Sequence, residues 1–182
     1  MKRLIIINGY PRAGKDTVAS MIKDALCFVT EYSTVDLPKK ILRLVSGDFE
    51  KSPEVRKLLS DLKSLLLESV DYPVAEIESI RTPIVIVHCR EKSNIQHLRS
   101  RFPSIVVKVS RKSAEVAYKS GLLNKSDSDV DSVEYDFEIE NNSTLEDLRA
   151  EVKRLIPDML VKLGYRVDLD SIFPLGVQIL EE

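Results

Sequence analysis

Short runs of apolar, β-branched residues alternate with longer stretches in which apolar positions recur every three or four residues. That alternation is expected of βα units folded onto a parallel sheet. The run Leu4-Ile5-Ile6-Ile7 marks a first strand over Arg3 to Asn8, and Val18, Met21, Ile22, Ala25 and Leu26 then take helical spacing. A weaker strand is predicted over Phe28 to Val35, where Thr, Tyr and Val favour extended backbone. A helix with Pro38 near its start follows and runs to about Val45. Ser52-Pro53-Glu54 opens another helix, Ser52 as cap and Pro53 in the first turn, with an apolar stripe through Val55, Leu58, Leu59, Leu62, Leu65 and Leu66. Ile84 to Val87, Ile105 to Val109 and Tyr135 to Ile139 supply three more strands, five in all. Ser143 and Glu146 form a predicted capping box ahead of a last helix that runs to about Leu163, with Pro157 a point of kinking and Gly164 its stop. From Lys112 to Asp131 the pattern turns polar and rich in Ser and Asp around Gly121, a candidate lid. The tail beyond Gly164 carries Phe173, Leu175, Val177 and Ile179, enough to pack back on the body or to pair as an edge strand.

At 182 residues and 43% hydrophobic content the chain suits one domain, 1–182, with a well-filled core. No repeat, low-complexity tract or Pro/Gly-rich linker divides it. With 27 basic and 29 acidic residues and a net charge of -2, no overall field draws it to nucleic acid or to an anionic membrane. The apolar runs are too short to span a bilayer and the chain opens on a strand, so a cytoplasmic location is expected. Cys27 and Cys89 lie in apolar surroundings without metal-ligand spacing and read as reduced packing residues.

The chemistry concentrates at Gly9-Tyr10-Pro11-Arg12-Ala13-Gly14-Lys15-Asp16-Thr17, directly after the first strand and at the start of a helix. There the backbone N–H groups of a turn converge on one point at a helix N-terminus, which makes phosphate the natural occupant. Gly9 and Gly14 permit backbone conformations and close approach that a Cβ would block. The spacing Gly-x4-Gly-Lys is that of the P-loop, with Gly9, Arg12, Ala13, Gly14, Lys15, Asp16 and Thr17 as the nucleotide-binding set. In the usual pattern Ser or Thr follows the lysine to meet Mg²⁺; here Asp16 stands in that place and Thr17 follows, so both are candidate metal ligands.

A P-loop, a helical excursion, a central strand, a polar lid and a capped terminal helix together resemble the nucleoside monophosphate kinase group, with the nearest echo in phage-type deoxynucleoside monophosphate kinases. Gly14-Lys15-Asp16-Thr17 resembles that subfamily's loop, and Asp36-Leu37-Pro38-Lys39 its Asp-x-x-Lys segment after the second strand. Arg56, Arg90, Arg111, and Tyr135-Asp136 through Asn141-Asn142 with Leu145 resemble its later landmarks in order. The resemblance implies a three-layer α/β P-loop fold with a five-stranded parallel sheet in the order 2-3-1-4-5. It implies transfer of the γ-phosphoryl of ATP, with Mg²⁺, to a (deoxy)nucleoside monophosphate. Phosphoryl transfer relies on positioning and cationic stabilisation. Lys15 would accordingly bridge the β- and γ-phosphates and Arg111 at the lid hinge would approach the transferring group, with Arg12 assisting. Lys39, Arg56 and Arg90 would clamp the acceptor's phosphate, and Asp36 would accept an acceptor hydroxyl or hold the metal.

One departure stands out. The third strand of such kinases often ends in an aspartate that orients a metal-bound water, whereas this one ends Val87-His88-Cys89-Arg90, and Ser93-Asn94 replaces a following Asn-Glu pair. Mg²⁺ prefers oxygen, so His88 is a poor ligand for it and reads as a strand-end packing or hydrogen-bonding residue. Asp16, Asp36 or Glu91 would then supply the carboxylate. His97, between polar neighbours on a helix, is expected at the surface. Three alternatives stay open: a phosphomevalonate-type acceptor, a dephospho-coenzyme A-type acceptor, and nucleotide binding with little turnover.

Overall fold

The computed structural model describes residues 2–50, 52–120 and 129–166. Five parallel strands form one sheet: β1 (Leu4–Asn8), β2 (Thr30–Ser33), β3 (Ile84–Val87), β4 (Ser104–Ser110) and β5 (Phe137–Glu140), in the order 2-3-1-4-5. β1 is central, with Leu4 opposite Ile84 on one side and Ser104 on the other. The two-residue alternation of a strand sends its side chains to two cores. Ile5, Ile7, Val85, Val87 and Val107 meet α1 (Lys15–Ala25) and α7 (Leu145–Lys162), while Leu4, Ile6, Ile84, Ile86 and Val106 meet α4 (Val74–Ser79) and α5 (Lys92–Arg101). Both sheet faces are thus covered, which is why the strands read as continuous apolar runs.

The predicted strands all form, with ends shifted by one or two residues. β2 is confined to Thr30–Ser33, inside the broader 28–35 stretch, and β5 begins at Phe137 instead of Tyr135. α2 (Asp36–Ser46) and α3 (Pro53–Val70) lie where expected, α3 capped by the Ser52 hydroxyl, which accepts from the Val55 amide. Their apolar residues, however, do not enter a core. Lys63 is the only buried residue of α3 and Pro38 the only one of α2, while Leu44, Val45, Leu58 and Leu65 are exposed.

The capping box of α7 is one residue later than predicted. Thr144 is the cap, its hydroxyl accepting from the Asp147 amide, and the Asp147 carboxylate accepts from the Thr144 amide. Pro157 lies inside this helix, and Gly164 follows it at φ 80°. α6 (Lys112–Lys119) and a 3₁₀ turn at Val130–Ser132 occupy the ends of the candidate lid; its centre, 121–128, and the tail, 167–182, lie outside the described residues. Cys89 is buried as expected, with burial pushing its thiol up to about 12, but Cys27 is exposed in the turn that follows α1. Among the described residues no helix is long and apolar enough to cross a membrane.

Candidate functional site

The loop from Gly9 to Gly14 leaves the C-terminal end of the central strand and enters α1, whose N-cap Gly14 has φ 99°. Asn8, fully buried at the strand's end, turns its Oδ1 to accept the Gly9 amide at 2.7 Å. The loop is braced from the far side of the sheet. Asn141, just after β5, donates its Nδ2 to the Ala13 carbonyl at 2.8 Å, and its own amide donates to the Ser110 carbonyl. Tyr10 is buried, donates its hydroxyl to Asp131 at 2.6 Å, and stacks on Tyr118 of α6 with ring centroids 4.2 Å apart. Burial, ahead of the Asp131 carboxylate, holds its phenol far above the usual range and hence protonated.

Lys15 is buried, and its ammonium donates to the carbonyls of Gly9 at 2.8 Å and Tyr10 at 2.7 Å. Asp16 and Thr17 are exposed on the first turn of α1. Together with Arg12, Gly14, Lys15, His88 and Arg90 they line one cleft of about 180 Å³. The structure therefore gathers most of the predicted phosphate-binding set, and one of the three predicted acceptor cations, at a single opening. Arg12 flanks it, exposed and at φ 65°.

The remaining predicted residues lie outside the lining of that cleft. Asp36 begins α2, exposed, with Lys39 at 3.5 Å one turn on. Arg56 is exposed in the first turns of α3, and Arg111 is exposed as the N-cap of α6. Of the three carboxylates considered for the metal, only Asp16 is in the cleft. Glu91 is taken up elsewhere: at the N-cap of α5 it pairs with Lys63 Nζ at 2.5 Å and accepts from Asn94 Nδ2 at 3.1 Å. Burial alone would raise this carboxyl, but the adjacent Lys63 ammonium and backbone hydrogen bonds together hold Glu91 below the usual carboxylate range.

His88, expected to pack or hydrogen-bond at the strand end, does hydrogen-bond there. Its φ is 63°, a left-handed value uncommon outside glycine, held by Thr34 Oγ1 donating to the His88 carbonyl at 2.7 Å. The ring's Nδ1 meets Ser33 Oγ at 3.1 Å and its Nε2 stands 3.6 Å from Asp16 Oδ1. Burial lowers its pKa from an ordinary 6.5 to about 4; Asp16 opposes that shift, while Arg90, Lys39 and Lys15 add to it. The imidazole is neutral near pH 7. His97, expected at the surface, is about one-third exposed and bonds Asp71 at 2.7 Å.

Three participants escaped sequence reading. Nothing local in the sequence singles out Lys63 or Ser33. Asn141 was noted only as a landmark, since its contact with Ala13 spans 128 residues.

No protein-family model and no curated protein sequence matches the chain. Its fold has counterparts among solved structures. Shikimate kinase from Aquifex aeolicus superposes with a TM-score of 0.52 at 14% identity, over 87% of this chain and 98% of that one. Dephospho-CoA kinase from Campylobacter jejuni gives 0.50 at 14% identity, over 87% and 97%. The sheet order, the helices on both faces and the loop leaving the central strand are therefore those of the P-loop kinase fold.

Proposed function

We propose that this protein is an ATP-dependent phosphotransferase that moves the γ-phosphoryl group to a small phosphorylated metabolite, with a (deoxy)nucleoside monophosphate as the acceptor. The observation that carries this reading is the shared cleft, which the loop, Lys15 and Arg90 line together. A triphosphate tail seated on the loop amides would offer Lys15 stronger acceptors than the two carbonyls it now holds. Arg90 supplies a planar fork suited to a second phosphate across the opening. Lys39 and Arg56 on α2 and α3, and Arg111 at the start of α6, would complete the cationic surround as those elements approach.

The exposed Asp16 carboxylate and Thr17 hydroxyl give oxygen donors at the cleft, a set that fits a divalent ion travelling with the nucleotide. When bound, such an ion neutralises phosphate charge. The chain's own groups would bind, orient and stabilise: the amides and Lys15 the donor, Arg90 the acceptor, and Asp36 at the head of α2 an acceptor hydroxyl.

The test is ADP release from ATP with a panel of deoxynucleoside and nucleoside monophosphates, dephospho-coenzyme A and phosphomevalonate. A monophosphate should be preferred by at least about tenfold in kcat/KM. Preference for another member of the panel would reassign the acceptor, and ATP binding with background ADP release throughout would make this a nucleotide-binding module. Lys15→Ala should reduce turnover by at least about 10²-fold; unchanged kinetics would remove the loop from the reaction.

A further inference from the structure

We infer that His88 is a ligand of the divalent ion in the nucleotide cleft, so that the site takes a first-row transition ion in preference to Mg²⁺. The inference rests on the phosphotransferase reading above and names the metal chemistry of the same site. Nε2 of His88 and Oδ1 of Asp16 are 3.6 Å apart, too far for a hydrogen bond. That separation does suit two donors of one ion. Bonds of about 2.1 Å place neighbouring ligands about 3 Å apart and opposite ligands about 4.2 Å apart, and 3.6 Å falls between.

The ring is also mounted as metal-binding imidazoles are. Ser33 Oγ engages Nδ1 at 3.1 Å, which directs the other nitrogen to the Asp16 side, and an outer partner on the non-ligating nitrogen is a recurrent device for fixing the ring. Its backbone is held at φ 63° by the Thr34 hydroxyl on its carbonyl. Conformations of this kind persist where surrounding structure enforces them, and they cluster at functional sites. A residue serving only to fill space at a strand end has no need of one.

The position also reverses an expected arrangement. The residue after Lys15 carries the carboxylate where a hydroxyl is usual, and the strand end carries a nitrogen donor where a carboxylate is usual. Replacing one hard oxygen donor by imidazole weakens the site for Mg²⁺ and favours ions that accept nitrogen. The charges of Arg90, Lys39 and Lys15 disfavour a further positive charge at the ring. The ion should therefore enter with the negatively charged nucleotide, not alone.

The chain contains two histidines, which permits a direct test. The protein is prepared with ordinary and with ¹⁵N-labelled histidine, loaded with Mn²⁺ and a non-hydrolysable ATP analogue, and examined by pulsed electron paramagnetic resonance. Wild type and H97Q should show a nitrogen modulation on Mn²⁺ that changes on labelling, and H88Q should show none. Mn²⁺ affinity in the ternary complex should fall at least about tenfold in H88Q, with a smaller change for Mg²⁺. If the analogue and Mn²⁺ bind wild type but labelling leaves the modulation unaltered, His88 is not a ligand and the inference fails. The labelling comparison on wild type does not depend on how any variant folds. Failure of the analogue to bind wild type with either metal would instead overturn the phosphotransferase reading itself.

Discussion

Gly9 leaves the central strand at φ 140°, and a Cβ built there would lie 2.2 Å from the Val109 carbonyl oxygen. Because the obstruction is the backbone of a core strand, it cannot swing aside. Gly9→Ala should therefore destabilise the fold by about 1–3 kcal/mol and abolish tight nucleotide binding, measurable by urea unfolding and nucleotide titration. At Gly14 the obstruction is a side chain: a Cβ would come within 2.3 Å of Asn141 Nδ2, so substitution there would also displace the brace on Ala13. His88 yields a prediction of a different kind. Between pH 6.5 and about 4 the unfolded chain binds a proton at this imidazole that the folded chain does not, so stability falls as pH drops through that window. The slope from this one group is at most about 1.4 kcal/mol per pH unit. Urea unfolding at pH 7, 6 and 5 should show wild type losing more stability than His88→Asn; parallel curves would mean that the ring is not desolvated.

Between elements, the pair Lys63 and Glu91 ties α3 to the start of α5, one residue beyond Arg90. Lys63 is the sole buried residue of its helix, so its charge is compensated by Glu91 at the point where α3 reaches the body. Lys63→Met should cost about 3–5 kcal/mol by leaving the carboxylate without its cation, whereas K63M/E91M should recover most of that loss, as thermal unfolding would show. A single-variant cost below about 1 kcal/mol would show the pair to be no more than a surface ion pair. This tie was not readable from sequence, because a lysine among Leu62, Leu65 and Leu66 looks like any snorkelling cation until its partner 28 residues away is known. By contrast β1, the glycine loop and α1 were readable because their signals are local: an apolar run, two glycines at fixed spacing, then helical period. The terminal capping box shows the limit of such signals. Ser143 with Glu146 and Thr144 with Asp147 both fit the pattern, so the motif alone allowed two registers, and the structure uses the second.

At the scale of the molecule, the cations proposed to meet donor, acceptor and transferring phosphoryl come from separate parts of the chain: Lys15 from α1, Arg90 after β3 and Arg111 after β4. Arg111 caps the helix whose Tyr118 stacks on the loop's Tyr10, so it rides on an element already coupled to the glycine loop. Arg111→Ala should lower kcat by about 10²–10³-fold while changing ATP affinity only a few-fold. Loss confined to ATP binding would take this residue out of the transition state. The placement of β1 has a further consequence for how the protein is made. Its two sheet neighbours, Ile84–Val87 and Ser104–Ser110, are synthesised long after it, so the amino-terminal glycine loop has no completed support until more than half the chain has emerged. A fragment ending before Ser104 would leave one flank of Leu4–Asn8 open, and would therefore be a poor candidate for a minimal ATP-binding peptide.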